Sequence, residues 1–558
     1  MSMALHFAAL LGAVVTPLSV AVASAATAAP KRRNVLFIVV DDMRPTIGAY
    51  NFTMSHTPAM DALAAEGVTF TRAYVQMAVC SPSRMSFLSG RRPDTTQTWN
   101  FKNNFREPDV GPDWASLPGY FRQHGYVTLG SGKLYHPHQP PDYDYAKSWS
   151  QEWPYFDPEC RQKAMCPSAT PRPAPKPSRC LDWEPRTHVA HATTASPVTM
   201  CMADIPANES RPEYQLEDML TRDSCIEQLK TAKATGKNFF VGCGFRKPHV
   251  DWVIPAEFWD YFPALEDIPL AKYTYAPAGV PHIAYHLAVP DVKGFEHVPF
   301  NGTFNATRSR IYRRAYYAAV AFTDYNIGKV LAALDDLELK NDTAVVVFGD
   351  HGWHLGEAGL WAKMTNFENA ARIPLILRAP WIEAARGKVT NVLAEAVDLY
   401  PTLTELAGLP DPKAQGEELN GTSLVPVLED AQNIHVKKAA FSQYAKHSVS
   451  KPFDINPNFN KHQTEALGYS VRVENWRYSV WFRVPTGLIT PDTTHVLGRE
   501  LYPHFDDSGD FDFPGENANL VDDPQHEDLV EELHRMILDY IQVWPRGQEP
   551  SIGQTIFA

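Results

Sequence analysis

Three short apolar stretches, each leading directly to polar residues, constrain the fold of this chain most strongly. The stretch Val35–Val40 runs into two aspartates, and Phe239–Val241 and Ala344–Phe348 lead toward further charged and imidazole side chains. A continuous apolar run of this length is typical of a parallel strand that is buried on both faces. The sequence therefore predicts an α/β fold in which several strands deliver polar side chains to one edge of a sheet.

Helical and alternating patterns place the remaining elements. Helices are expected from Thr57 onward and over Tyr312–Leu337, the second of these as a helix that packs on the core. Alternating residues in Tyr469–Val484 predict antiparallel strands, and the amphipathic stretch Asp528–Val543 predicts a helix that covers them. The C-terminal part of the chain is therefore expected to form a smaller α+β subdomain.

The length and composition favour a large globular protein with more than one core. The chain has 558 residues, of which 44% are hydrophobic and 21% charged. We predict a large, mixed but mostly parallel sheet flanked by helices in residues 33–446, a linker or exposed loop in 447–465, and the smaller subdomain in 466–558. The net charge of −13 argues against a nucleic-acid-binding surface.

The N-terminal segment has the composition of a secretory signal peptide. Residues 1–28 are apolar and Ala-rich, and they end in small residues typical of cleavage sites. An uncleaved anchor is the alternative, since no Lys or Arg precedes the apolar run. We expect no transmembrane segment after cleavage. Passage through the secretory pathway, to the lysosome or the extracellular space, would also expose six Asn-x-Ser/Thr sites to glycosylation, at Asn51, Asn208, Asn301, Asn305, Asn341 and Asn420.

The cysteines also fit an oxidising compartment. There are seven, and reserving one for chemistry leaves an even number. Cys225 and Cys243 either pair or are simply buried. Disulfides are the expected use of the cysteines in a Pro-rich insertion with little periodicity, because cross-links restrict the unfolded chain where no core can form. These are Cys160, Cys166, Cys180 and Cys201.

The segment around Cys80 predicts a short helix whose first turn carries a nucleophile, Cys80. Ser81 suits the N-cap, Pro82 the first helical position, and Gly90 the left-handed residue that ends the helix. The positive end of the helix would then favour negative charge beside Cys80. A buried structural thiol is the alternative.

Asp41, Asp42 and Asp350 form an oxygen-rich set that would repel itself without a cation. Each follows an apolar strand, so the three are expected to converge. Carboxylates without a thiolate cluster suit Ca²⁺ or Mg²⁺ better than zinc, and flexible coordination favours Ca²⁺. Taken singly, each aspartate is more simply a cap or a turn residue.

The stretch from Cys80 to Arg91 resembles the modification signature of the type I sulfatases, Cys-x-Pro-Ser-Arg followed by a short run to Gly-Arg. In that family the cysteine is oxidised to formylglycine. The resemblance implies an alkaline phosphatase/sulfatase-like fold, a formylglycine-generating enzyme as a partner during maturation, and hydrolysis of sulfate esters. It also implies that Cys80 is the formylglycine precursor and that Arg84 holds the resulting hydrate.

The resemblance extends to a metal site and to one branch of the family. The pairs Asp41-Asp42 and Asp350-His351 resemble the sulfatase ligands of one Ca²⁺ ion per chain, which position 80 and a substrate oxygen complete. His351 stands where most sulfatases have Asn, and a His there resembles the iduronate-2-sulfatase branch. Further segments are similar to that branch: Val39–Pro45, Gly90–Thr96, Gly132–Pro137, Lys247–His249, Asp350–Trp353, Trp361–Lys363, Tyr469–Arg472 and Glu500–Tyr502.

The same resemblance assigns the remaining polar residues. It places Lys133 and His136 on the formylglycine side, and His249 and Lys363 beside the substrate sulfate and the leaving oxygen. Cations are needed there because charge spreads over the sulfuryl oxygens in the transition state. One hydroxyl of the hydrate would attack sulfur. His136 would then deprotonate the other hydroxyl to expel sulfate, and His249 would protonate or stabilise the leaving alkoxide.

We therefore expect an exo-acting hydrolase of sulfated saccharides, with a 2-sulfated uronic acid as the substrate that the branch implies. Two alternatives from other classes stay open. The first is a phosphodiesterase or phosphonate hydrolase that uses the same modified Cys80. The second is a non-catalytic glycan-binding relative, which would require that Cys80 is never converted.

Overall fold

A computed structural model describes residues 31–158, 180–181, 200–203, 205–212, 214–287, 298–505 and 514–543. From Arg32 onward these residues belong to one unit. Within these ranges, none of the helices combines the length and hydropathy that a bilayer-spanning segment needs. The predicted signal peptide, residues 1–28, lies outside the described residues. So do the side chains for which disulfides were expected, those of Cys160, Cys166, Cys180 and Cys201.

Strands and helices are found throughout the described residues. The strands are β1 (Asn34–Val40), β2 (Val68–Tyr74), β3 (Val127–Gly132), β4 (Cys180–Leu181), β5 (Met200–Ala203), β6 (Phe239–Phe245), β7 (Trp252–Pro255), β8 (Thr343–Gly349), β9 (His354–Leu355), β10 (Trp361–Ala362), β11 (Arg372–Arg378), β12 (Lys388–Glu395), β13 (Ala440–Lys446), β14 (Ala466–Arg472), β15 (Trp476–Arg483) and β16 (Asp492–Pro503). The helices are α1 (Pro58–Ala64), α2 (Cys80–Ser89), α3 (Pro93–Thr96), α4 (Leu117–Gln123), α5 (Tyr145–Ser148), α6 (Glu217–Thr235), α7 (Ala306–Asp336), α8 (Glu368–Ala371), α9 (Leu399–Leu406), α10 (Val425–Glu429) and α11 (Glu527–Val543).

The largest sheet has seven strands in the order β12-β2-β11-β8-β1-β6-β3. Strand β11 runs antiparallel to both of its neighbours, and the other neighbouring pairs are parallel. The predicted large, mostly parallel sheet is therefore confirmed. Its central strand β1 is buried along its whole length, as expected for a strand covered on both faces.

Helices cover both faces of this sheet. Alternate residues of β1 point to opposite sides, because successive side chains of a strand alternate. Leu36, Ile38 and Val40 join a core that includes residues of α1, α6 and α7. The residues between them, Val35, Phe37 and Val39, join a second core with residues of α2, α4 and α9.

The helix that carries Cys80 begins earlier than predicted. Its N-cap is Val79, so Ser81 lies inside the helix, and the Ser81 hydroxyl has no hydrogen-bond partner among the residues that the structure describes. Pro82 is tolerated at the third helical position because N–H groups of the first turn have no partner within the helix. Gly90 ends the helix with a φ of 68°, as predicted.

The long helix α7 also begins before its predicted start at Tyr312. It starts at Ala306, where the Asn305 side chain accepts a hydrogen bond from the Arg308 N–H group at 2.9 Å. The first turns are rich in polar residues, so hydrophobic periodicity alone did not reveal them.

The predicted C-terminal antiparallel strands and their covering helix are present. Strands β13, β14, β15 and β16 form an antiparallel sheet in that order. The apolar side of α11 packs in the same core as these strands, through Leu533, Met536, Ile537 and Tyr540. Residues 447–465 connect β13 to β14, so this segment joins two strands of one sheet.

The structure decides between the two uses left open for Cys225 and Cys243. Cys225 on α6 and Cys243 on β6 form a disulfide. The bond joins a helix to the strand that it covers.

A close approach between β3 and β6 fixes the backbone that leads to Lys133. The Lys133 N–H group donates to the carbonyl of Gly244 at 2.9 Å, and a Cβ at Gly244 would lie 2.2 Å from the Lys133 carbonyl carbon. We expect Gly244→Ala to lower the free energy of unfolding by about 1–3 kcal/mol, the usual cost of overpacking. Because the added atom displaces Lys133, kcat/KM should fall as well. Denaturation curves and turnover numbers measure the two effects. Gly487→Ala is the control for turnover. A Cβ there meets none of the described atoms within 4 Å, but the φ of 80° strains an alanine, so this variant loses stability without displacing Lys133. Equal turnover in both variants would contradict the prediction.

Candidate active site

Four neighbouring parallel strands end at one edge of the large sheet, and each leads to residues predicted from the sequence. In the sheet order β8, β1, β6 and β3, these are Asp350 with His351, Asp41 with Asp42, His249, and Lys133. The hydrogen-bond pattern of the parallel sheet continues one residue beyond the ends of β1 and β8. The Asp41 N–H donates to the Phe245 carbonyl and the Asp350 N–H to the Val40 carbonyl, both at 3.0 Å. The backbones that carry the acidic residues are therefore held by the sheet itself.

The first residue of α2, Cys80, lies among basic and imidazole groups. Its Sγ atom is 3.2 Å from Lys363 Nζ, 3.3 Å from His351 Nε2 and 3.7 Å from Lys133 Nζ. The side chain is 1% exposed. Burial raises the pKa of the Cys80 thiol well above its ordinary value, and the nearby Asp41 adds to the effect although both lysines oppose it. The unmodified thiol is thus neutral at physiological pH and a poor nucleophile.

Arg84 joins the acidic residues of two strands. Its Nε donates to Asp350 Oδ2 at 2.9 Å, and its Nη2 donates to Asp41 Oδ1 at 3.0 Å. Its Nη1 donates to the carbonyls of Lys133 and Leu134. Among the described residues, no hydrogen bond joins Arg84 to Cys80. Its contacts are therefore those of a residue that orients the aspartates and the backbone after β3.

The backbone and the side chain of Asp42 are held by several hydrogen bonds. Its φ is 61°, in the left-handed region, and the Tyr316 hydroxyl donates to its carbonyl at 2.6 Å. Its N–H donates to Asp350 Oδ1 at 2.9 Å, and its Oδ1 accepts from Lys363 Nζ at 2.7 Å. Its Oδ2 is buried and has no hydrogen-bond partner among the described residues. An unpaired carboxylate oxygen of this kind is costly to bury unless a cation meets it.

The pKa values of the carboxylate cluster, which consists of Asp41, Asp42 and Asp350, show that nearby lysine and arginine side chains neutralise its members unequally. Burial raises the pKa of Asp42 well above its ordinary value, and the charges of Asp41 and Asp350 raise it further against the effect of Lys363. Burial likewise raises the pKa of Asp350 to about 7 despite Arg84. For Asp41 burial has the same direction, but Lys133, His249 and Arg84 outweigh it and hold the pKa well below its usual range.

These residues fit a divalent cation. Ligand atoms of Asp41, Cys80, Asp350 and His351 all lie within 4.8 Å of one another, and so do those of Asp41, Asp42, Cys80 and His249. Burial, with the charge of Lys363, lowers the pKa of His351 well below its ordinary value, so its imidazole is neutral and able to bind a metal. The donors are mainly carboxylate oxygens, the type that Ca²⁺ and Mg²⁺ prefer.

Of the two remaining histidines, His249 lies beside the carboxylates and His136 stacks on an aromatic ring. His249 Nε2 lies 4.0 Å from Asp42 Oδ2. His136 is half-buried, and its ring stacks on Phe101 with the centroids 4.5 Å apart. In the part of the chain that the structure describes, the only hydrogen bond of its ring joins Nδ1 to the Pro137 carbonyl, at 3.1 Å. Burial, together with the charges of Lys133 and Arg84, lowers the pKa of His136 well below its ordinary value.

Three residues near the site were not predicted for it. Tyr316 was expected only to pack the core, yet its hydroxyl binds the Asp42 backbone. His286 Nε2 lies 2.8 Å from the Lys363 carbonyl, and Phe101 stacks on His136. No short motif contains these residues together with the groups they contact. A pattern along the sequence therefore gave no signal for them.

Sequence comparison gives the family of this arrangement. Residues 33–409 match the Sulfatase family, and residues 356–478 match the C-terminal region of N-sulphoglucosamine sulphohydrolase. The chain therefore belongs to the sulfatase family and is a sulfuric ester hydrolase. Iduronate 2-sulfatase of Mus musculus is 32% identical over 90% of this chain and 93% of its own length. The Homo sapiens iduronate 2-sulfatase is also 32% identical, over 94% of this chain and 98% of its own length. The resemblance to that branch is confirmed.

Solved structures agree on the fold. A 2-O GAG sulfatase superimposes with a TM-score of 0.63 at 19% identity, over 92% of this chain and 93% of that one. The phosphonate monoester hydrolase of Agrobacterium radiobacter gives 0.65, also at 19% identity, over 92% and 96% of the two chains. At such identity the likeness concerns the fold alone, and the predicted sulfatase-like architecture is confirmed.

Proposed function

We propose that this protein removes the 2-sulfate of a terminal uronic acid in a sulfated glycan, through Ca²⁺ and a formylglycine derived from Cys80. One observation supports this most directly. Position 80 lies within 3.7 Å of two lysine Nζ atoms and beside buried carboxylates, one of which, Asp42, has an oxygen without a hydrogen-bond partner among the described residues. This arrangement provides a place for a nucleophile, a cation and a sulfate group within one site.

The state of Cys80 supports the proposed modification. A neutral, buried thiol cannot attack an ester at a useful rate, and the Sγ atom occupies the place of the group that the converted residue would present. When present, formylglycine supplies the attacking oxygen and Ca²⁺ polarises the sulfuryl oxygens. Asp41, Asp42, Asp350 and His351 are the residues that would hold the cation, with position 80.

The two lysines of the site would offset negative charge, and its two histidines would transfer protons. Lys133 Nζ and Lys363 Nζ lie 3.7 and 3.2 Å from the Cys80 Sγ atom and would offset the charge of the sulfate. Burial lowers the pKa of both His136 and His249, so both imidazoles are neutral near pH 7. A neutral His136 can accept the proton whose loss expels sulfate. His249 lies near Asp42 and is the candidate that protonates or stabilises the leaving oxygen, and protonation would require its imidazolium form.

The substrate class rests on the relatives and on burial. The iduronate 2-sulfatases are 32% identical over most of this chain, which favours a uronic acid 2-sulfate. Every predicted ligand of the cation is fully buried, and Cys80 is 1% exposed. A reaction centre at that depth favours a terminal sugar over one within a chain, and therefore exo-acting cleavage.

Maturation and destination complete the proposal. We propose cleavage of residues 1–28 as a signal peptide, action of a formylglycine-generating enzyme on Cys80, and delivery to the lysosome or the extracellular space. Five of the six possible glycosylation sites are exposed in the structure, which supports a secretory route. They are Asn51, Asn208, Asn301, Asn305 and Asn341.

A substrate panel tests the function. We expect release of sulfate from a disaccharide with a 2-sulfated iduronic acid at its non-reducing end, and at least about 100-fold lower kcat/KM when that sugar is internal. A 6-sulfated glucosamine disaccharide serves as the matched control. Preference for the control would reject the uronate assignment. Rapid hydrolysis of an aryl phosphonate with negligible sulfate release would select the phosphonate hydrolase alternative.

A further inference from the structure

We infer that Phe101 is a positioning residue for His136, and that a loop connecting two strands of the C-terminal sheet holds Phe101 in place. The inference rests on the proposed role of His136 as the base. The two rings are nearly parallel, with an interplanar angle of 16° and centroids 4.5 Å apart. Contacts at this distance restrict the imidazole to one plane.

The hydrogen bond of His136 shows why its plane matters. Nδ1 lies 3.1 Å from the Pro137 carbonyl oxygen, and a carbonyl oxygen can only accept. Nδ1 therefore carries the proton of the neutral imidazole, and Nε2 keeps the lone pair that a base requires. A ring that turned away from Phe101 would lose this hydrogen bond and the tautomer that it selects.

Phe101 is itself held from both sides. Its N–H donates to the Pro457 carbonyl at 2.8 Å, and its carbonyl accepts from Gln139 Nε2 at 3.0 Å. The Gln139 N–H in turn donates to the His136 carbonyl at 2.9 Å. Phe101 and the turn His136–Gln139 are thus joined by ring stacking and by hydrogen bonds.

The loop that contains Pro457 is anchored by a buried lysine. Lys461 is 3% exposed, and its N–H donates to Asn103 Oδ1 at 2.8 Å. Its Nζ donates to three oxygens, Gln97 Oε1 at 2.8 Å, Glu107 Oε2 at 2.9 Å and Asp109 Oδ2 at 3.2 Å. The Asp109 side chain is 67% exposed and adds little, but the buried lysine would lose its other hydrogen bonds if the loop moved, which is costly. The partners of Lys461 include residues before and after Phe101 in the sequence. These contacts connect the C-terminal sheet to the proposed base.

The first test separates positioning from stability. We expect Phe101→Leu to lower kcat by about tenfold, a part of the 10²–10⁴ that a general base supplies, with KM within about twofold. Phe101→Tyr should restore kcat because it keeps the stacked ring. Rates are measured per formylglycine, whose fraction is determined by peptide mass analysis. Phe105→Leu is the matched control, since Phe105 is a buried aromatic residue of the same segment, and among the described residues the ring that stacks on His136 is that of Phe101.

The second test does not depend on turnover. In the Cys80→Ala protein, ¹⁵N NMR of imidazole should show His136 as the Nδ1–H tautomer, identified by loss of its signals in His136→Gln. Phe101→Leu and Lys461→Met should each give a mixture of tautomers. An unchanged tautomer in both, with kcat unchanged in Phe101→Leu, would overturn the inference. If His136→Gln itself keeps full kcat, the base assignment fails. If His136→Gln loses kcat while Phe101→Leu does not, only the positioning role fails.

Discussion

Cys80→Ala is expected to abolish turnover while the protein stays folded. Alanine cannot be oxidised to an aldehyde and offers no attacking oxygen, so the loss should be on the order of a millionfold, as when other covalent nucleophiles are removed. The loss of the side-chain atoms beyond Cβ leaves a small cavity that costs about 1 kcal/mol. Steady-state rates on a sulfate ester, together with peptide mass analysis for formylglycine at position 80, measure the effect.

Two further variants sharpen this prediction. Cys80→Ser should also be inactive, because a maturation enzyme that oxidises cysteine leaves the serine hydroxyl unconverted. Ser81→Ala is the matched control, since Ser81 is the buried neighbour whose hydroxyl has no hydrogen-bond partner in the described part of the chain. It should keep near wild-type activity. Full sulfatase activity in the Cys80→Ala protein would remove Cys80 as the nucleophile and reject the proposed mechanism.

Asp42→Asn should remove most of the response to Ca²⁺. Asparagine tolerates the left-handed φ of 61°, so the substitution changes charge and leaves the backbone unstrained. Wild-type protein should gain about 2.7 kcal/mol of stability at a Ca²⁺ concentration 100 times its Kd, and the variant almost none. We expect kcat/KM to fall at least about 100-fold, and a chelator should have the same effect on the wild type. Thermal unfolding with and without Ca²⁺ measures the first effect.

The control for this variant shares its backbone conformation. Asp142 also has a positive φ, 53°, and lies outside the cluster. Asp142→Asn should therefore leave both the Ca²⁺ response and kcat/KM within about twofold of the wild type. If Asp42→Asn responds to Ca²⁺ as strongly as the wild type does, Asp42 is not a ligand of the cation.

The parts of the fold predicted from sequence are those that local physics determines. An apolar run such as Val35–Val40 is typical of a strand buried on both faces, and parallel neighbours end at the same edge. The positions of Asp41 and Asp350 follow from these two facts. The helix signal around Cys80 was found for a similar reason, although its start was misplaced because proline is tolerated throughout the first turn.

The parts that were missed depend on contacts between distant segments. Tyr316 binds the backbone of Asp42 across 274 positions of the chain. Phe101 meets His136 only because the loop around Pro457 returns to it from the C-terminal sheet. Neither contact has a period, a spacing or a cap that a single sequence reveals. The resemblance to sulfatases supplied the role of His136 but not the residue that orients its ring.

The buried position of Asn420 has a consequence for biosynthesis. This residue begins one of the six sequons, yet it is 2% exposed, and its Oδ1 accepts from the Arg92 N–H at 2.9 Å. Its own N–H donates to the carbonyl of Gly90, the residue that ends the Cys80 helix, at 2.8 Å. A glycan on the Asn420 amide has no room in this packing. Oligosaccharide transfer at that sequon and folding of the nucleophile helix therefore exclude each other, and the native protein carries at most five N-linked glycans on these six sites.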